Sequence, residues 1–489
     1  MAGERTVALA TLLERLPDAQ ITGAREIEVT SIETASQAVR PGALFVALRG
    51  THTDGHRYVS QAVAGGARGV VVEAELSEPP ASGVTVVRVA DTRRALSALS
   101  AAFFGDPSLA LDVIGITGTN GKTTTSRMIA AILNEAGIEC GVIGTVGAEF
   151  GARTWRLANT TPLPPELHAL LAHMRDAGGR AVAMEVSSHA LALDRVDDVR
   201  FRIAVLTNVT RDHLDFHQTP EAYAAAKRRL FALTGACVLN ADDPYGGRWA
   251  AELAREGRDI VTYGSTPGAV LVAEDIAVAA DGSRFKVDGR AYELRLPGRF
   301  NVWNALAALG AARYLGVGDA IAARALGSLE RVAGRMEHLC GDGIDVVVDY
   351  AHTPDALAHA LESLRETARG RLAVVFGCGG DRDKGKRSEM GMVAARIADR
   401  LYVTNDNPRS EDPRAIADAI VVGIGKREHV VELDRRRAIE RAIGEARSGD
   451  VVLIAGKGHE TYQIIGDRVL PFDDAAVARA AISMRGVPR

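Results

Sequence analysis

The sequence predicts an α/β protein of about three domains built on parallel sheets, and three observations carry that prediction. Short apolar runs of strand length recur along the chain, at residues 113–117, 182–186, 203–209, 346–350, 372–378, 401–405 and 451–456. The stretches between them are Ala-rich, charged and of helix length. Runs apolar on both faces, alternating with amphipathic segments, suit parallel strands covered by helices on each side. Finally, 489 residues exceed one ordinary core, and at roughly 150 residues per domain they make about three. Ligands of such sheets sit at the carboxyl ends of the strands, so the polar residues that follow these runs are the first functional candidates.

The elements fall into three units in chain order. Residues 1–105 contain predicted strands at 41–48 and 69–76, followed by an Ala-rich helix at 92–106. Residues 106–334 form a central unit, closed by a helical stretch at 313–334 that ends on Gly334. Residues 335–489 form the third. No period of 20 to 50 residues repeats and no low-complexity tract interrupts the pattern.

Composition narrows the functional classes. Apolar residues make up 47% and charged residues 25%, with 50 Gly and 17 Pro, which describes a soluble globular chain. The 58 basic and 62 acidic residues are spread evenly and give a net charge of -4. That leaves no footprint for nucleic acid, so any anion must be caught locally. Cys140, Cys237, Cys340 and Cys378 stand far apart, without metal-ligand spacing, and read as reduced, mostly buried thiols. Neither a signal-peptide core nor a window near 20 apolar residues is found, so a cytoplasmic protein is expected.

The strongest chemical signal is VIGITGTNGKTTTSRMIAAIL at 113–133: an apolar strand, a Gly-rich turn, Lys-Thr-Thr, then a helix. That is the order a phosphate cradle requires. Gly118 and Gly121 let backbone N–H groups turn onto phosphate oxygens, Lys122 can reach the β- and γ-phosphates, and Thr123 can ligate Mg²⁺. The spacing departs from GxxxxGK[ST], with Ile116 where the first Gly would stand. Elsewhere, Glu185 ends an apolar strand, where a carboxylate can hold a hard cation. His213 and His217 lie in HLDFH, which lacks the Glu that an HExxH zinc site needs, and zinc is rejected. Lys227 lies in a helix that Thr219 and Pro220 begin. Asn301 and Asn304, three apart, share a helix face.

TGTNGKTT resembles the P-loop of the Mur ligases and their folylpolyglutamate synthetase relatives. The resemblance continues in order through MEVSSHAL (184–191), TNVTRDHLDFH (207–217), AYAAAKRRLF (222–231), NADDP (240–244), LPGRFNVWNALAA (296–308), GRME (334–337), DYAHTPD (349–355), FGCGGDRDKGKR (376–387), DNPR (406–409) and AGKGHE (455–460). It covers nearly the whole chain and looks most like the members that add the third amino acid of the peptidoglycan stem. The resemblance implies a small N-terminal α/β domain for the UDP-sugar, a central P-loop ATPase-like domain and a Rossmann-like C-terminal domain for the amino acid.

Residue by residue, the resemblance implies ATP contacts from Gly118, Thr119, Asn120, Gly121, Lys122, Thr123 and Thr124. It adds Asn301 and Asn304 near adenine, Arg335 at the phosphates and Asp349 on the ribose. Glu185 and His213 would serve Mg²⁺ together with Thr123, and Lys227 would be carbamylated to orient it. Lys122, Glu185, His213 and Lys227 form the implied catalytic set. For the UDP-MurNAc-dipeptide it assigns Ser36, Asn159, Thr160, Thr161, Ser187 and Arg195. The chain departs from the family at Ala35-Ser36-Gln37, where DSR is usual, and at Leu193, where Gln is common.

For the amino acid, the resemblance implies Arg382, Asp406, Asn407, Pro408, Arg409, Gly456 and Glu460. Meso-diaminopimelate carries two carboxylates and two ammonium groups. Arg409 and Arg382 can pair with the carboxylates, Glu460 and Asp406 with ammonium. L-Lysine lacks the distal carboxylate and would leave Arg409 unpaired. The implied reaction is an ATP-dependent, ADP-forming amide ligation through an acyl phosphate, in peptidoglycan precursor synthesis and so in cell shape and division. The substrates would be ATP, UDP-MurNAc-L-Ala-D-Glu and meso-diaminopimelate, acted on by a monomer with no nucleic acid or membrane span. The alternatives are a lysine-adding or folylpolyglutamate synthase-like ligase, and a non-catalytic nucleotide-binding protein.

Overall fold

The computed structural model describes residues 5–50, 53–76, 83–279, 282–330, 332 and 334–485. The chain divides into two compact units, one of residues 1–115, 138–204 and 226–236, the other of residues 116–137, 205–225 and 237–489. The mixed α/β architecture with largely parallel sheets is as the alternation of apolar runs and helices predicts.

The first unit opens with a five-stranded sheet in the order Gln20–Thr22, Thr85–Arg88, Gly69–Val72, Ala43–Val46, Ser31–Glu33, parallel except at the Gln20–Thr22 edge. Ala43–Val46 and Gly69–Val72 are buried at every position. Two apolar clusters explain this: one gathers Leu44, Val46, Val71 and Leu99, the other Phe45, Val59, Val70 and Val72, so alternate side chains fill opposite faces. Helix Thr92–Phe103 starts where Asp91 accepts hydrogen bonds from Arg93 N at 2.8 Å and Arg94 N at 3.2 Å. Farther along, Ala181–Glu185 pairs in parallel with Cys140–Gly144, which turns back antiparallel through Gly147–Phe150 and Arg153–Trp155.

Helix Pro164–Asp176 of this unit carries His168 fully buried, with neither ring nitrogen hydrogen-bonded among the described residues. Burial pushes its pKa down to about 4. The unfolded chain therefore takes up this proton near pH 6.5 and the folded chain only near pH 4. Stability is complete above the first value and falls as the pH drops toward the second, by about 3 kcal/mol in all. In urea titrations at pH 7 and pH 4, His168→Leu is expected to lose correspondingly less stability than wild type; equal acid sensitivity of the two would refute this.

In the second unit, helix Lys122–Glu135 packs against helix Arg299–Tyr314. A three-stranded antiparallel sheet, Glu274–Ala279, Gly282–Val287 and Arg290–Leu294, is an addition that the parallel pattern did not announce. Residues 313–334 are not one helix: Arg299–Tyr314 ends before Gly316, at φ +79°, and a separate helix runs Asp319–Ser328. The glycines at 316 and 318 break a pattern that apolar spacing alone would continue.

The last sheet has six strands in the order Glu337–Gly341, Ile344–Asp349, Val451–Ala455, Leu372–Phe376, Arg400–Val403, Val430–Val431, all parallel beyond the first edge pair. Leu372–Phe376 and Val451–Ala455 are buried throughout, because helices Pro354–Thr367, Lys386–Ile397 and Pro413–Ile424 cover one face and Arg435–Glu445 and Asp474–Arg485 the other. Parallel pairing sends the carboxyl ends of five strands to one rim, where Asp349 closes its strand and Asn405 and Gly456 lie just past theirs.

Candidate active site

The phosphate loop follows strand Asp112–Thr117 and opens helix Lys122–Glu135. Gly118 and Gly121 have φ of +152° and +85°, and a Cβ on them would collide with Thr207 Oγ1 and Asn304 Oδ1 respectively. The loop is held from outside: Thr119 N donates to Asn208 O at 2.8 Å, and Asn120 N to Asn208 Oδ1 at 3.0 Å. Asn120 Nδ2 reaches Asp355 Oδ2 at 2.9 Å. Lys122 Nζ folds onto the carbonyls of Gly118 and Thr119, at 2.9 and 2.8 Å. Thr123 and Thr124 are buried in the first helical turn. Asn304 Nδ2 donates to Asn301 Oδ1 at 3.1 Å, so the shared helix face is real, and Asn304 lies directly behind Gly121.

Arg335 is brought to the same loop, its Nη2 donating to Thr123 Oγ1 at 2.9 Å. Its guanidinium lies 4.5 Å from the Tyr350 ring centre, and its Nε, buried, has no hydrogen-bond partner among the described residues. An arginine N–H left open beside a helix N-terminus fits an anion there. Asp349 accepts from Met336 N and Ala351 N, both at 2.8 Å. Burial pushes its carboxyl up, against the pull of Arg335.

Around His213 the structure adds residues that sequence reasoning missed. His213, at φ +53°, precedes helix Leu214–His217, and its Nε2 lies 3.3 Å from Asp212 Oδ2. His352 Nε2 lies 3.9 Å from the same oxygen. Asp212 is buried, which alone would push its carboxyl up; His213, His352 and Lys386 outweigh that and hold it well below the usual carboxylate range. Burial and the Lys386 charge lower the His352 pKa. Asp212 and His352 both stand inside quoted motifs, so proximity to His213 and Asp349 in sequence was the available signal.

In the first unit, Glu185 is 1% exposed at the end of its strand. Its Oε1 accepts from Thr145 N and its Oε2 from Thr145 Oγ1, each at 2.9 Å. Thr145 Oγ1 in turn meets Thr160 Oγ1 at 3.1 Å. Thr161 Oγ1 donates to Glu185 O at 2.9 Å and accepts from Ser187 N at 3.0 Å; Arg195 Nη1 donates to Thr161 O at 3.0 Å. Thr160, Thr161, Ser187 and Arg195 therefore form one connected group beside Glu185. Arg195 Nε is buried without a partner among the described residues, and burial lowers its pKa. Asn159 is exposed, next to this group in the chain. Ser36 is buried in a 3-10 turn, its Oγ donating to Gln61 Oε1 at 2.9 Å. Lys227 is 1% exposed in helix Pro220–Ala232, which Thr219 caps through Ala222 N at 3.1 Å.

The rim of the last sheet gathers most of the expected amino-acid pocket. Asp406, Asn407 and Pro408 are buried; Arg409, at φ +53°, donates from Nη1 to Gly380 O at 2.8 Å. Arg382 is exposed, with its Nη1 on Asp381 O at 3.0 Å, and both arginines flank Gly379. Gly456, at φ +119°, leaves room for Asp406, whose Oδ2 would stand 2.6 Å from a Cβ there. Glu460 Oε2 accepts from Asn407 Nδ2 at 3.0 Å. Two further features were not foreseen: fully buried Lys457, and the Arg435–Asp474 pair beneath the rim. Arg435 donates Nε to Asp474 Oδ1 at 2.8 Å and Nη2 to Oδ2 at 2.7 Å. It also reaches Asn405 O at 3.2 Å and Ala455 O at 3.0 Å. Lys457 stands inside AGKGHE, but no motif marks Arg435 or Asp474, which are 39 residues apart.

Comparison with known proteins follows the same order along the chain. Family models match residues 28–104 as "Mur ligase family, catalytic domain", 116–312 as "Mur ligase middle domain" and 334–458 as "Mur ligase, glutamate ligase domain". The chain is 45% identical to the UDP-N-acetylmuramoyl-L-alanyl-D-glutamate--2,6-diaminopimelate ligase of Geobacillus kaustophilus (strain HTA426), covering 98% of this chain and 100% of that one. It is 47% identical to the protein of the same name from Chlorobaculum tepidum, covering 94% and 92%. A solved ligase of that name is 33% identical, with a TM-score of 0.69 over 99% of this chain and 100% of the other. The Acinetobacter baumannii MurF structure, 21% identical with a TM-score of 0.68 over 92% and 96%, shares the fold.

Proposed function

Because the chain belongs to the Mur ligase family, we propose that it is an ATP-dependent, ADP-forming amide ligase joining meso-diaminopimelate to UDP-MurNAc-L-Ala-D-Glu. The observation that carries the substrate reading is the last sheet's rim. Arg409, Asp406 and Glu460 all act electrostatically on Tyr462 there, both signs of charge for a substrate that bears both. Three domains, 1–105, 106–334 and 335–489, would hold the UDP-sugar, ATP and the amino acid in turn.

The γ-phosphoryl group of ATP passes to the free carboxylate of the D-Glu residue, giving an acyl phosphate and ADP. Lys122, the helix N-terminus behind it and the open Nε of Arg335 supply the positive charge this transfer needs. The amine of meso-diaminopimelate then attacks the acyl carbon, loses a proton, and the tetrahedral intermediate expels phosphate to leave the amide. No Ser or Cys nucleophile takes part. Mg²⁺ suits the oxygen and imidazole donors of Thr123, Glu185, His213 and a Lys227 carbamate, and when bound it neutralises charge on the phosphates. Asn159, Thr160, Thr161, Ser187, Arg195 and Ser36 are assigned to the UDP-MurNAc-dipeptide, Asn301, Asn304 and Asp349 to adenosine.

Phosphate release with ATP, Mg²⁺ and UDP-MurNAc-L-Ala-D-Glu, with meso-diaminopimelate, L-lysine or no amino acid, tests the reading. Release that depends on diaminopimelate, with the mass of the tripeptide product, is expected. Preference for L-lysine would keep the ligase and overturn the role of Arg409; silence with every amine would overturn the ligase.

A further inference from the structure

The turn after strand Val451–Ala455 is forced inward. Gly456 and Gly458 both have positive φ, +119° and +52°. A Cβ on Gly458 would stand 2.7 Å from Gly334 O and 2.8 Å from Tyr350 Cβ, and one on Gly456 would stand 2.6 Å from Asp406 Oδ2. Between these two close approaches Lys457 lies in the interior, 0% exposed. A buried ammonium needs its donors answered. Nζ donates to Glu460 Oε2 at 2.9 Å and to Asn407 Oδ1 at 3.2 Å, and lies 5.4 Å from the Tyr462 ring centre.

The network is lopsided at Glu460. Its Oε2 takes both Lys457 Nζ and Asn407 Nδ2, while Oε1 has the Tyr350 hydroxyl at 3.5 Å. Asn407 is fixed as well, since its Oδ1 also accepts from Ile464 N at 2.9 Å. Arg435, another buried cation near the rim, is committed to Asp474. Lys457 is therefore the cation that answers the Glu460 carboxylate directly.

We infer that Lys457 is a positioning residue for the amino-acid substrate: by saturating Oε2 of Glu460 it holds that carboxylate with Oε1 turned to the incoming ammonium. It also offsets the negative charge of Glu460, so that a zwitterionic end, carboxylate with ammonium, is taken in preference to a bare ammonium. This rests on the proposed function for the identity of the substrate, but not for the geometry. An ion pair that merely fastened the hairpin Tyr462–Ile465 and Arg468–Pro471 would affect stability and leave substrate selection alone.

The test compares wild type, Lys457→Met, Lys457→Arg, Glu460→Gln and the double variant Lys457→Met with Glu460→Gln in the full chain. Expected for Lys457→Met is a KM for meso-diaminopimelate raised about tenfold or more, with the KM for ATP and for UDP-MurNAc-L-Ala-D-Glu within about twofold. The preference for diaminopimelate over L-lysine falls, and Lys457→Arg restores part of both. If the two residues act as one unit, the double variant is no worse than the poorer single variant. An unchanged KM for the amino acid, or equal rises in all three KM values, overturns the inference while leaving the ligase intact. Should Lys457→Met not fold, Glu460→Gln with an unchanged KM for the amino acid overturns it equally. If wild type uses a different amino acid, the substrate reading fails and the inference is judged on that amino acid's KM; if it uses none, both fail.

Discussion

Lys122→Met is expected to lower kcat for phosphate release by about 10³-fold, with the fold intact by circular dichroism. Lys122 Nζ sits on the carbonyl oxygens of Gly118 and Thr119, which hold its charge at the phosphate loop. The lysine brings a full positive charge to a loop whose backbone N–H groups carry only partial ones, and methionine removes that charge at the same length of side chain. The measurement is ADP and phosphate formation at saturating substrates. A loss smaller than tenfold would refute the role.

Arg435→Met is expected to destabilise the protein by about 3–5 kcal/mol, since it strands one member of a buried pair. Arg435 and Asp474 are both fully buried, and the guanidinium is shared with the carbonyls of Asn405 and Ala455. Its loss leaves a carboxylate and two carbonyls without their donor. The double variant Arg435→Met with Asp474→Leu is expected to recover more than half of the loss, because it removes the stranded charge as well. Denaturant unfolding of the two variants beside wild type decides this. Equal instability of the single and double variants would mean that the pair is replaceable only as a shape.

How much of this was legible in the sequence depends on how local each feature is. The phosphate loop was legible because strand, turn and helix follow one another within residues 113–133, and the glycines needed for it are adjacent in the chain. The parallel sheets were legible because burial on both faces writes itself into runs such as Val451–Ala455. The antiparallel sheet at Glu274–Leu294 was not, since its strands alternate exposed and buried positions and carry charges. At the site, Glu185, His213 and Arg409 stood next to recognisable strands and motifs. Asp212 with His352 and Lys386, or Arg435 with Asp474, depend on segments that meet only after folding. No spacing in the sequence encodes such a meeting. Gly316 and Gly318 gave a local warning of a helix break, but the apolar repeat across them outweighed it.

The order of strands in the last sheet has a consequence for how the chain is made. Val451–Ala455 lies between Ile344–Asp349 and Leu372–Phe376, so the central strand is the last of the major ones to be synthesised. About a hundred residues separate Asp345 from its partner Val451. Until residue 455 has left the ribosome, Ile344–Asp349 and Leu372–Phe376 both lack the strand that pairs between them. Such a nascent intermediate, with long-range pairings still to be closed, is slow to complete and prone to self-association. A polypeptide cut short anywhere before residue 451 would lose not a tail but the keystone of its sheet, and the cell would meet it as a substrate for chaperones and proteases.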